Sequence, residues 1–372
     1  MNRRNHAWYT AFILLPALAF TQQSAPPSTT ETQSEAPAPQ APALNPRPGY
    51  TPAPAPQQGR IQLDVVVTDK SGKPVSGLEL KDFALKDNNL PAKIISFQAI
   101  EAAAQSSDPP TEVTVLIDAV NLGFQEVART RDGIAAFLRR NGGHQAQPVS
   151  VLVLTDDGLK VQLQPSLDGN ALADQLVNSS SGLRSLARSA GFNGAVERYE
   201  LSLKWVDALA RNEIPRPGRK LLIWAGPGWP LLDLPGMQIT DKGQLGMFNE
   251  IVELSTTLRQ ADMTLYSVSL GMPGIGTYLY KDFVKGVKTA EKAKPTNLGL
   301  KVIATQTGGL VLPPDNDLAS QIANCVQDAT AFYRLSFDPP PADKANEYHD
   351  LKVEIDKPGL TARTRNGYYN QP

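Results

Sequence analysis

Asp118 is the acidic side chain best placed to do chemistry in this chain. The run Val113-Thr114-Val115-Leu116-Ile117 is short, apolar and rich in β-branched residues, which reads as a strand buried in a parallel sheet, and it delivers Asp118 at its end. Ligands of open α/β sheets bind outside the carboxyl ends of the strands, so Asp118 and nearby Asn121 are candidate binding residues. Two later loops are expected at the same rim. Gly191-Phe192-Asn193-Gly194 contributes Asn193, and Gly226-Pro227-Gly228-Trp229-Pro230 reads as an exposed loop carrying Trp229. A Trp there either anchors a protein partner or covers its own loop against the body.

Other chemistry finds little support in the residues. Besides His6, only His144 and His349 are available, one in a Gly-rich turn and one at a strand start, where it reads as a surface residue rather than a catalyst. There is no Gly-x-Ser-x-Gly elbow, no His-Glu-x-x-His and no cysteine pair. Gly271-Met272-Pro273-Gly274-Ile275-Gly276 follows a strand but departs from phosphate-binding spacing, so it reads as a connector. Asp156-Asp157 before Gly158 reads as a turn rather than as paired catalytic carboxylates. Cys325, the sole cysteine, reads as a small buried side chain. No catalytic residue is assigned, and the chain is expected not to be an enzyme; an extracytoplasmic hydrolase of unrecognised type is the alternative.

These candidates need elements to hold them. With 372 residues, 41% of them hydrophobic, the chain can bury more than one core, and a formal net charge of −1 without a basic stripe argues against nucleic acid as a partner. Arg3 and Arg4 precede an apolar stretch from Trp8 to Ala19 that ends Ala17-Leu18-Ala19, the pattern of a secretory signal peptide over residues 1–19. The stretch is short for a bilayer span, so no stable membrane span is expected after cleavage, with an uncleaved anchor as the alternative. The protein is therefore expected to be exported, and to be periplasmic, cell-surface or secreted. Residues 20–59 are Pro- and Ala-rich and almost without aliphatic side chains other than alanine, a composition that reads as an extended tether.

Period-2 patterns such as Ile61, Leu63, Val65, Val67 and Tyr333, Leu335, Phe337 predict small β units over 60–105 and 331–372. Neither has enough strands for its own core, so the two termini are expected to pack together as one β-sandwich-like module. Between them, over 112–330, strands at Val113–Ile117, Val149–Leu154, Leu221–Trp224 and Met263–Val268 and an edge strand at Leu159–Leu163 alternate with helical stripes such as Val196, Tyr199, Leu203, Val206, Leu209. That order predicts an α/β fold with a doubly wound, mostly parallel, Rossmann-type sheet.

The order and spacing over about 112–330 resemble the von Willebrand factor A (VWA) domain. Val67-Thr68-Asp69-Lys70-Ser71-Gly72-Lys73-Pro74-Val75, Lys220 to Pro230, Thr305-Gln306-Thr307-Gly308-Gly309, Tyr348 to Val353 and Arg365-Asn366-Gly367-Tyr368-Tyr369 resemble a VWA-related family abundant in Acidobacteria, across nearly all of residues 60–370. The resemblance implies an exported protein and a first strand ending in Asp-x-Ser-x-Ser, whose three oxygens hold a divalent cation. Here Val120 and Leu122 occupy the serine positions, and the Thr and Asp positions of the motif fall near Gly191–Gly194 and Ala225–Gly228. Aliphatic groups supply no oxygen to Mg²⁺. The expectation is therefore a degenerate metal-ion-dependent adhesion site with no cofactor, Asp118 being the residual candidate ligand, in a protein-binding or adhesion module whose partner is a protein of the cell envelope.

Overall fold

Alternate residues of the central strands feed two different cores in the computed structural model, which describes residues 59–101, 111–179, 191–230, 239–272 and 278–372. The expected signal peptide and nearly all of the expected tether lie outside the described residues, as does most of the Gly271–Gly276 loop. The central sheet has five strands: β5 (Glu112–Asp118), β6 (His144–Thr155), β7 (Gly158–Asp168), β8 (Lys220–Ala225) and β9 (Met263–Val268). Their order is β7-β6-β5-β8-β9, and every pairing is parallel except that of β7, which turns back on β6 through Asp156-Asp157. Val113, Val115 and Ile117 point to one face and Leu116 to the other, as the period of a strand requires.

Each face is covered by helices. Helices α1 (Phe124–Leu138), α2 (Gly169–Asn178) and α6 (Leu318–Gln327) cover the first, packing Ile134, Leu172, Ile322 and Cys325 beneath the sheet. On the second lie α3 (Phe192–Glu213), α4 (Asp241–Gln260) and α5 (Leu300–Gln306), and the expected stripe Tyr199, Leu203, Val206, Leu209 is their buried face. A 3₁₀ turn at Pro295–Leu298 leads into α5, and α6 stops at Gln327.

The remaining strands form two four-stranded sheets, and each mixes both ends of the described body. β1 (Ile61–Thr68) lies between β12 (Thr361–Arg363) and β10 (Ala331–Phe337), with β4 (Ser96–Glu101) beyond β10. The second sheet runs β13-β11-β2-β3, joining β13 (Gly367–Asn370) and β11 (Glu347–Ile355) to β2 (Phe83–Asp87) and β3 (Leu90–Ala92). Asn88 and Asn89 both take positive φ, +47° and +66°, and make the two-residue hairpin between β2 and β3. A third core lies between these sheets, from Leu63, Val65, Phe83, Leu85, Leu335, Phe337 and Val353. Tyr348 and Tyr369 point out of it and join the core of α4 and α5, so one strand pair serves two cores.

His349 corrects an expectation. It is buried, its Nδ1 lies 2.8 Å from Asp87 Oδ1, and its ring stacks on Tyr368, whose hydroxyl donates to the same carboxylate at 2.6 Å. The strand alternation that looked solvent-facing in sequence turns His349 inward beside Leu351.

Candidate functional site

Asp118 ends β5 with neighbours on both sides, Leu154 of β6 level with it and Ala225 of β8 level with Ile117. This central position buries its carboxyl group completely. The chain then turns tightly: Ala119 N–H donates to Ile117 O at 3.1 Å and Leu122 N–H to Asp118 O at 3.1 Å. The turn brings Asn121 back over the carboxylate. Asn121 donates its backbone N–H to Oδ1 at 3.1 Å, and its Nδ2 lies 3.0 Å from each carboxylate oxygen. Trp224 Nε1, from β8, donates to Oδ2 at 2.8 Å, and Asn121 Nδ2 also reaches Ser202 Oγ of α3 at 3.1 Å.

Burial pushes the Asp118 pKa up to about 6, and the bonds from Trp224 and Asn121 hold it from rising further. The close fit depends on Gly226, just past β8. A Cβ there would stand 2.7 Å from Asp118 Cβ and 3.3 Å from Oδ2.

These residues do not fit a divalent cation. The groups facing the carboxylate are N–H donors, which a cation would repel, and Val120 and Leu122 are buried in the cores on opposite faces of the sheet. Among the described residues no group of three His, Cys, Asp or Glu side chains could hold a metal ion. The cluster can carry a buried negative charge or a proton, and it fixes the loop between β5 and α1 against β8 and α3.

Of the other candidates, Asn121 belongs to this cluster and Asn193 does not. Asn193 is exposed in the first turn of α3, and the side chain that α3 sends to the cluster is Ser202, further along the helix. Trp229 is corrected more sharply. It is only 4% exposed, donates Nε1–H to Leu298 O at 2.8 Å and meets Trp224 edge to face with ring centroids 5.3 Å apart. It covers its loop against the body and presents no free face to a partner.

Sequence reasoning missed Trp224, Ser202 and Gly226. Trp224 looked like one more apolar strand residue, and Ser202 was hidden between helix positions. Gly226 did carry a signal, a glycine directly after a strand beside the Asp-bearing one. Two further expectations are matched in place: Cys325 is buried, with burial pushing its thiol pKa well up, and Asp156-Asp157 form the β6–β7 turn; His144, expected within a Gly-rich turn, instead follows that turn as the exposed first residue of β6.

Among the described residues at this end of the sheet, four large apolar side chains are exposed beside polar ones such as Gln125, Glu126, Asn193 and Asp241. Parallel strands put the ends of β5, β8 and β9 at one end of the sheet, and the helices that pack antiparallel to them begin there. Phe124 opens α1 and is 67% exposed, Phe192 opens α3 and is 46% exposed, Leu245 near the start of α4 is 52% exposed, and Met272 just after β9 is 86% exposed. Among the described residues no helix is long and apolar enough to cross a membrane.

A scan against protein-family models and a search of curated proteins found no match. Among solved structures the chain is distantly similar to the human COPII-coat protein Sec24c, at 10% identity and a TM-score of 0.29, covering 74% of this chain and 46% of that one. What stands is a mixed α/β chain built on a five-stranded, mostly parallel sheet.

Proposed function

We propose that this is an exported protein-binding or adhesion module of the cell envelope, built on a doubly wound VWA-type domain whose ion site has been replaced by an internal hydrogen-bonded cluster. The observation that carries the reading is the exposure of four large apolar side chains, Phe124, Phe192, Leu245 and Met272, at the carboxyl end of the sheet, where such folds bind their ligands. Aromatic side chains on helix starts and a methionine just after a strand suit a protein partner. The Asp118 cluster supports it from beneath, since it holds the first loop with N–H donors where a cation would otherwise be required. Recognition in this reading rests on shape and apolar contact and needs no Mg²⁺.

The test is capture of envelope proteins by the purified protein, comparing the native chain with a Phe124→Ser, Met272→Ser double variant. A partner retained by the native chain in the presence of chelator, and lost or weakened at least tenfold by the double variant, supports the proposal. Equal capture by both, or capture that requires Mg²⁺, overturns it.

A further inference from the structure

The seam between the central domain and the β sandwich holds more positive charge than its acids can pair. Asp64 of β1 accepts from Arg334 Nε at 2.9 Å and lies 3.5 Å from Arg219 Nε. Asp262, after α4, accepts from the same Arg334 at 2.8 Å and from Gln62 at 3.4 Å. Asp328 is held by Arg363 at 2.6 Å and accepts from the Tyr266 hydroxyl at 2.7 Å. Three carboxylates are thus engaged by Arg219, Arg334 and Arg363. Arg259 of α4 and Arg365, just before β13, are left.

Arg365 is only 9% exposed, and among the described residues no hydrogen bond or ion pair reaches its guanidinium. Arg259 is half-buried, and its Nε is buried with no partner among the described residues. Burial, and then the charge of Arg259, pulls the Arg365 pKa down to about 10 against the opposing charges of Asp262 and Asp64, which are already engaged by Arg334 and Arg219, and Arg365 stays charged at neutral pH. A guanidinium does not escape burial by losing its proton, as a lysine can. An unpaired buried charge is among the most destabilising features a fold can carry, so a counter-charge from outside the chain is the physical solution.

Space exists for one. Arg365 lines a cavity of about 20 Å³, walled by Leu254, Ser255, Leu298, Thr307 and Tyr348 from both modules. A cavity of that size admits an occupant about as large as one water molecule. We propose that this cavity is a halide-sized anion site, in which one monovalent inorganic anion, chloride in its usual surroundings, binds Arg365, the one charged residue of its wall, with the charge of Arg259 behind the wall adding to the attraction, and so fastens the sandwich to the central domain. A phosphate is too large for it, and a water molecule would fill the space without balancing the charge. The site shares no residue with the Asp118 cluster or the four exposed apolar side chains, so its fate is independent of theirs.

Two measurements test the proposal on the full chain. Crystals of the native protein soaked in sodium bromide should show an anomalous peak beside the Arg365 guanidinium; a cavity without one overturns the site. Thermal unfolding should be followed as sodium chloride replaces sodium gluconate at constant ionic strength. The native protein should gain roughly 2–5 °C in a saturable way, and sodium phosphate should not reproduce the gain. Arg365→Met removes the buried charge and keeps an apolar stem, so it should lose the chloride response and, without chloride, melt at or above the native temperature. An unchanged chloride response in R365M overturns the proposal. If R365M does not fold, R259M serves with the same readout and should need at least several-fold more chloride to saturate; an unshifted saturation point there, like an empty bromide map, counts against the site.

Discussion

Asp118 is held as an internal tie between strand, loop and helix rather than left open to a ligand. Its carboxyl group is wholly buried against N–H donors, and its pKa is raised from 3.8 to about 6. A carboxyl group whose folded pKa is raised stabilises the fold fully below the unfolded pKa, and that stability is lost as pH rises through the folded one. Native stability should therefore fall by roughly 3 kcal/mol between about pH 4 and pH 6, from this group alone. Asp118→Asn should flatten that part of the stability curve, which denaturant unfolding at a series of pH values will show. Gly226→Ala should destabilise by about 1–3 kcal/mol, because its Cβ would stand 2.7 Å from Asp118 Cβ, inside a packed core with β8 on one side. An unfolding midpoint equal to the native one would mean that the β8 end can shift aside freely.

At the scale of elements, residues 226–230 after β8 are locked on their own domain. Trp229 bonds Leu298 O and meets Trp224, so it ties this loop to the short turn before α5 and stands close to the Asp118 cluster. Trp229→Ala should cost about 3–5 kcal/mol of stability, as for other buried aromatic truncations. A partner-binding defect with no loss of stability would instead restore Trp229 to the rim. The contrast with Phe124 is instructive. Both follow strand ends in sequence, yet Phe124 is left in solvent at the start of α1 while Trp229 is folded inward.

At the scale of the molecule, the sandwich is assembled from both ends of the described body. β1 pairs with β10 and β12, and β2 pairs with β11, so neither terminal unit owns a complete sheet. Removing residues 331–372 should therefore unfold β1 to β4 as well, and hydrogen exchange of Leu63, Val65 and Leu85 amides should rise to unprotected rates. Protection retained there would show that the N-terminal unit folds alone. The five-stranded sheet should survive better, since its two cores are mostly its own, apart from Tyr348 and Tyr369 on the α4–α5 face.

Sequence alone determined the elements and their order. Apolar period and turn residues are local signals, and they placed the central strands, the long helices, the β6–β7 turn and the buried Cys325 correctly. Asp118 and Asn121 were also legible together, because a strand end and the turn after it are contiguous in the chain. Only the tertiary structure decided what surrounds them: Trp224 and Ser202 reach Asp118 and Asn121 from distant positions, Trp229 turns inward, and His349 meets Asp87 across two strands. The five seam arginines were unreadable for the same reason. Whether a charge is paired or alone depends on which distant side chains share its few ångströms, and no local pattern in the chain records that.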